Sequence, residues 1–179
     1  MDGAADEPAV LLLDVDGVLN GLRGLTALPE GWQQGSYNGY VISWDPTITA
    51  RLRTWHDDGL VQIQWLTTWT TDADRLLAGP MGLPAGLPTH QRPDRALPTG
   101  HGDRFRGLPT WWKLGPAQEV ARTHPGRRVV WIDDDLRSGD PLTDDWLAGR
   151  PEVLVVAPDL QAGLTHGELD DVESWLRTG

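Results

Sequence analysis

The chain has 179 residues, 39% of them hydrophobic and 23% charged, with a formal net charge of −11 and no cysteine. That length suits one domain with a sizeable core, and the composition is that of a folded chain rather than a disordered one. The missing cysteines exclude disulfides, zinc–thiolate sites and cysteine nucleophiles, and a negative field of this size counts against extended nucleic-acid binding.

The chain opens on MDGAADEPAV, which is acidic and lacks the basic flank and apolar stretch of a signal peptide. No apolar run reaches the length of a membrane span, so a cytoplasmic protein without membrane contact is expected. Residues 10–15 form a short apolar run between Pro8 and Gly17 and read as a buried strand. Residues 21–40 are rich in glycine and turn formers, and residues 40–44 read as a short strand in a flap. Asp45-Pro46 then starts a helix, with aspartate as the cap and proline in the first turn. Ile48, Leu52 and Trp55 follow at helical spacing, and Gly59 closes it. Residues 60–66 predict a second buried strand. Residues 70–77 predict a short helix, with Thr70 or Thr71 as cap and Asp72 and Asp74 in its first turn.

Residues 79–109 are dense in proline and glycine and read as a long surface loop with room for one strand. A helix is expected over 111–123, ending at Pro125-Gly126, and a strand over 127–132 runs into Asp133, Asp134 and Asp135. Residues 152–157 predict another strand. Thr165 and Glu168 form a capping box before a last helix that presents Leu169, Val172 and Leu176 on one face. Strands alternating with helices imply an α/β fold, a three-layer, doubly wound, mostly parallel sheet within a single domain. In such folds the site lies at the carboxyl ends of the strands.

Charge is uneven. Between His90 and Arg128 eight basic residues, among them Arg92, Arg95, Arg104 and Arg106, stand against three acidic ones. An anion site or a solvated arginine-rich loop would both look like this, and charge alone favours the loop. Of the 15 basic residues only Lys113 is lysine. A compact ammonium rather than a planar fork is one reason for it, chance the other.

The strand ends carry the chemistry. Asp14 and Asp16 follow the first strand, Thr67 and Thr68 the second, and Asp133, Asp134 and Asp135 the strand at 127–132. Lys113 opens a helix. A carboxylate can attack phosphorus to form an acyl phosphate, and a second acid can protonate the leaving oxygen and then activate water. Lysine and threonine suit phosphoryl oxygens, and clustered carboxylates suit Mg²⁺. Aspartate after a strand is also a common turn former or cap, which weighs more against Asp133 and Asp134 than against the Asp14–Asp16 pair. Thr67 and Thr68 compete closely, with Thr67 the exposed tip if Leu66 ends its strand. Asp135 competes with its two neighbours. Asn20 reads as a turn residue, the 10 tryptophans as core or flap packing, and His90, His101 and His124 as surface loop residues.

Asp14-Val15-Asp16-Gly17-Val18-Leu19-Asn20 resembles the first signature of haloacid dehalogenase-like (HAD) hydrolases. Thr67, Lys113 and Ile132-Asp133-Asp134 resemble their second, third and fourth, in the family's order. The Thr67-Thr68-Trp69 turn and the stretch from Trp131 to Leu136 look most like the small capless phosphatase-like domain of bacterial Swiss army knife RNA-repair proteins. The resemblance implies Asp14 as nucleophile and Asp16 as general acid/base. It implies Mg²⁺ held by Asp14, Asp16, Asp133 and Asp134, and a phosphoryl group held by Thr67, Thr68, Lys113 and Gly17. Dehalogenating members lack the second acid, so Asp16 implies a phosphate substrate. The stretches with room for a cap, 21–44 and 79–109, are shorter than the ~40 residues below which a domain rarely folds unaided. A minimal cap and an open site follow. The expected substrate is a phosphorylated small molecule, nucleotide or nucleic-acid end. Phosphotransfer or mutase chemistry, a signalling module and a non-catalytic binding fold are the alternatives, and a motif after the first strand disfavours a receiver domain.

Overall fold

The apolar run after Pro8 forms strand β1 (Ala9–Leu13), and all five of its residues are buried. The computed structural model describes residues 7–21, 28–92 and 111–178. Along the chain follow β2 (Gln33–Tyr37), β3 (Tyr40–Trp44), α1 (Pro46–Asp57), β4 (Val61–Trp65) and α2 (Leu114–Thr123). Then come β5 (Val129–Ile132), α3 (Pro141–Leu147), β6 (Val153–Val156) and α4 (His166–Arg177). Strands β4, β1, β5 and β6 lie side by side in that order, every pair parallel. A central parallel strand is covered on both faces, which is why β1 is apolar throughout rather than alternating.

Its side chains divide between two cores. Leu11 and Leu13 pack with Ile48, Leu52 and Trp55 of α1 and with Leu169 and Val172 of α4. Val10 and Leu12 pack with Trp131 and with Ala117 and Val120 of α2. The result is the three-layer, doubly wound α/β arrangement that the alternation implied. Among the described residues no helix is long and apolar enough to cross a membrane.

Local signals explain the helix ends. The Asp45 side chain accepts from the Thr47 N–H, with Pro46 in the first turn. Thr165 and Glu168 form the reciprocal capping box of α4. Helix α3 lies outside the elements expected from the sequence, although Asp140 caps it by accepting from the Thr143 N–H, with Pro141 next. The stretch expected as an ordinary helix from residue 70 is a π-helical segment, Ala73–Ala78. Thr70 does not cap it, because its backbone is left-handed at φ 49°. Asp72 precedes the segment without a capping bond. Its carboxylate is engaged by Arg75 and Asn38 instead.

Two loop expectations change. Residues 33–37, read as turn-rich, form β2, paired antiparallel with β3. Asn38 and Gly39 close this hairpin at φ 49° and 81°, both positive as a tight primed turn requires. Residues 79–92, read as surface loop, are tied down. Met81, Leu83 and Leu87 are buried, and the Trp65 backbone bonds to Pro88 O at 2.8 Å and to His90 N at 2.9 Å. His90 is accordingly half-buried against Gln64, with its pKa held down by burial. The remainder of the 79–109 stretch, with Arg95, Arg104, Arg106 and His101, lies outside the described residues. So does part of 21–44.

Candidate active site

The chain turns to opposite sides of the sheet from β1 and β5, which are neighbours. In doubly wound folds ligands bind at such a switch point. Backbone pairing runs past the strand ends there. The Asp14 N–H donates to Ile132 O at 3.1 Å, Leu66 N–H to Leu13 O at 3.0 Å, and Asp133 N–H to Val156 O at 3.0 Å. This brings Asp14, Thr67 and Asp133 to one level.

Lys113, at the start of α2, reaches between the two acids. Its Nζ donates to Asp14 Oδ2 at 2.5 Å and to Asp133 Oδ2 at 2.6 Å. All three side chains are buried, and the ammonium lies 5.3 Å from the Trp111 ring centroid. The second oxygens accept backbone donors, Asp14 Oδ1 from Val15 and Asp133 Oδ1 from Asp135. Burial pushes both acids upward, with the Lys113 charge opposing it, and Asp133 lies well above its ordinary value. The two carboxylates push Lys113 upward against its own desolvation. One cation therefore lies between two buried acids, and Asp134, partly buried, adds a third carboxylate nearby. One oxygen from each of Asp14, Asp133 and Asp134 lies within 4.8 Å of the others. Such an all-oxygen, net-negative set fits a hard divalent cation such as Mg²⁺. Asp135 is not in this cluster.

The threonines divide differently from the expectation. Strand β4 ends at Trp65, and Thr67 is fully buried, with its hydroxyl beside Asp14. Thr68 is the exposed one and lines an open cleft of about 450 Å³. That cleft is also lined by Asp16, Asn38, Tyr40, Trp69, Thr70 and Asp72. Asp16 faces it and makes no bond to Lys113. Asp16 Oδ1 accepts from Asn20 Nδ2 at 2.8 Å and Oδ2 from Trp69 Nε1 at 2.9 Å.

The profile of one protein family, described as the HAD domain in Swiss Army Knife RNA repair proteins, matches residues 10–169. The match takes in both acidic clusters, both threonines and Lys113. The chain belongs to this HAD family. No curated protein and no solved structure matches it. Membership makes phosphatase-type hydrolysis the general class of chemistry. The HAD domain's acidic centre is a place where a metal could bind.

Gly17 is required by space and by backbone conformation. Its φ is +72°, and an added Cβ would lie 2.4 Å from Asp134 Cγ. Gly17→Ala is expected to lose about 1–3 kcal/mol of stability in a urea melt, because the left-handed strain adds to the displacement of Asp134. A variant as stable as the wild type would show that neither constraint holds.

Two residues of the site were not read from the sequence as functional. By sequence Trp69 reads as one of the packing tryptophans, yet its indole N–H reaches Asp16. Asn20 does help close the turn, since its carbonyl accepts from Gly17 N–H. Its buried side chain also joins Asp16 to the hairpin, as Oδ1 accepts from Ser43 N–H at 2.9 Å. Trp69 comes to Asp16 across 53 residues and Ser43 to Asn20 across 23, so neither contact has a local sequence signal.

Proposed function

We propose that this HAD domain is a Mg²⁺-dependent phosphatase that hydrolyses a phosphomonoester through an aspartyl-phosphate on Asp14. One observation carries the reading. A single buried ammonium bridges two carboxylates at the switch point, a third carboxylate lies within reach, and a separate acid faces an open cleft. Asp14, Asp133 and Asp134, with the Asp16 carbonyl, would hold the ion. A bound Mg²⁺ supplies charge neutralisation for the phosphoryl oxygens and the carboxylates around them.

The chain's own groups account for the remaining chemistry. An Asp14 oxygen attacks phosphorus as the bond from phosphorus to the leaving oxygen breaks, and Asp16 gives its proton to that oxygen. Lys113 and the Thr67 hydroxyl steady the phosphoryl oxygens. Asp16, now a carboxylate, takes a proton from water, and the resulting hydroxide attacks phosphorus. The bond from phosphorus to Asp14 then breaks. Phosphate is released, Asp14 is regenerated and Asp16 is protonated again. The cleft is open and polar, with Tyr40 at its rim, 65% exposed. It suits the phosphorylated end of a larger molecule, including a nucleotide or nucleic-acid end, as well as a small metabolite. The overall charge of −11 disfavours a long nucleic-acid footprint.

Phosphate release from an aryl phosphate, measured with Mg²⁺ and with EDTA, tests the reading. Release that depends on Mg²⁺ is expected, and release unaffected by EDTA would remove the metal from it. Binding should also appear in stability. A free Mg²⁺ concentration tenfold above its Kd adds about 1.4 kcal/mol, which raises Tm by roughly 3–6 °C for a chain of this size. Asp133→Asn is expected to abolish most of that rise in a thermal melt.

A further inference from the structure

We propose that Trp69 and Asn20 are positioning residues that aim the Asp16 carboxyl at the leaving group, and that the β2–β3 hairpin holds both of them. The proposal rests on the reading of Asp16 as the general acid of a phosphatase. Each Asp16 oxygen has one side-chain N–H donor, Asn20 Nδ2 at 2.8 Å and Trp69 Nε1 at 2.9 Å. Two donors on opposite oxygens fix the plane of the carboxyl group, which a single bond would leave free to rotate. They also hold it apart from the other carboxylates, since Lys113 bonds Asp14 and Asp133 instead.

Each donor is itself held from the hairpin. The Asn20 amide presents its nitrogen to Asp16 because its oxygen accepts from the Ser43 backbone in β3. The Trp69 ring meets the Tyr40 ring edge-on, with centroids 5.7 Å apart. The hairpin turn is tied to the same wall of the cleft, where Asn38 Nδ2 donates to Asp72 Oδ2 at 2.7 Å. Its base is anchored by Ile42 and Trp44, both buried in the core. A two-stranded ribbon is marginal by itself, and these contacts make it a fixed support. The hairpin thus does locally what a cap would do from above. It completes the cleft wall and orients the acid without enclosing the site.

Acid geometry matters in proportion to how badly the leaving group needs a proton. An alkoxide leaves only as the alcohol, so it requires Asp16 within hydrogen-bond reach. A nitrophenolate is a stable anion and leaves without help. The parameter kcat/KM reports events up to cleavage of the bond to the leaving oxygen, before Asp16 acts on water. Comparing kcat/KM for an alkyl phosphate and p-nitrophenyl phosphate therefore isolates the acid role. A merely structural contribution would lower both alike.

Trp69→Phe keeps an aromatic ring beside Tyr40 and deletes the N–H. Asn20→Asp keeps the acceptor for Ser43 and turns an oxygen towards Asp16. Each is expected to lower kcat/KM about 10–100-fold on the alkyl phosphate, part of the usual value of a general acid, and less than about 3-fold on p-nitrophenyl phosphate. Equal losses on the two substrates would overturn the positioning role while leaving the phosphatase reading in place. If Trp69→Phe melts far below the wild type, Asn20→Asp decides the matter. Wild-type protein inert towards both substrates would overturn the phosphatase reading and the positioning role with it.

Discussion

Asp14→Asn is expected to lower Mg²⁺-dependent phosphate release by at least about 10⁴-fold, the scale on which removing a covalent nucleophile acts, with little change in stability. An amide oxygen is too weak a nucleophile to form the acyl phosphate. The structure says why the fold should tolerate the change. Asn at this position keeps one acceptor, its amide oxygen for Lys113, and gives up only the local bond from the adjacent Val15 N–H. The buried centre passes from one ammonium between two acids to one ammonium beside Asp133, which is electrically better balanced. Burial already disfavours the ionised form of Asp14, so losing its charge removes a desolvation penalty along with an ion pair. A denaturant midpoint close to that of the wild type, measured beside the rate, separates lost chemistry from lost structure. Activity within tenfold of the wild type would remove Asp14 as the nucleophile.

The fold was readable where one local rule acted alone. β1 announces itself as an apolar run, α1 by Asp45-Pro46 and helical spacing, and α4 by its capping box. Asp140-Pro141 repeats the α1 signal, but α3 is only seven residues long and buries little besides Thr143, so it lacks the apolar stripe that would have marked it. β2 was missed for a related reason. Gln33, Gln34, Gly35, Ser36 and Tyr37 have no hydrophobic alternation, and their partner β3 and the Asn38-Gly39 turn make them a strand. The stretch after Gly79 looked like loop by composition, yet Met81, Leu83 and Leu87 pin it to the core. Spaced leucines among prolines do not declare which way they face.

The site divides in the same manner. Residues at strand ends could be placed from sequence, because a parallel sheet gathers its carboxyl ends whatever the chain separation. Contacts made by side chains from elsewhere could not. Thr67 and Thr68 compete in the sequence, with Thr67 the exposed tip if Leu66 ends its strand. β4 ends at Trp65, pairing continues through Leu66 N–H to Leu13 O, and Thr67 is buried while Thr68 stands at the cleft. Trp69 reaches Asp16 only through the turn after β4, and Asn20 reaches Ser43 only through the hairpin.

Lys113→Met is expected to destabilise the metal-free protein by about 3–5 kcal/mol near neutral pH, the range for stripping a buried charge cluster of one partner, and to abolish activity. Methionine nearly fills the space, so the loss is chiefly electrostatic and should depend on pH. Asp14 and Asp133 already titrate above the ordinary carboxyl range because they are buried, and the ammonium is what opposes that rise. Without it both folded-state values climb further above their unfolded ones. The folded state then binds more protons than the unfolded state between those values, so stability falls as pH rises through that window and returns as pH falls. The deficit should therefore shrink in urea melts moved from about pH 8 to about pH 5 in EDTA, and excess Mg²⁺ should offset part of it at the higher pH, since a divalent ion compensates the same carboxylates. A deficit equal at both pH values would assign the loss to packing instead. Lys113→Arg should not rescue the protein. The pocket closes on a compact ammonium held 2.5 and 2.6 Å from two carboxylate oxygens, and a planar guanidinium needs a wider, flatter space. In a chain that otherwise uses arginine for its basic side chains, a Lys113→Arg variant as stable and active as the wild type would leave chance as the reason for its single lysine standing here.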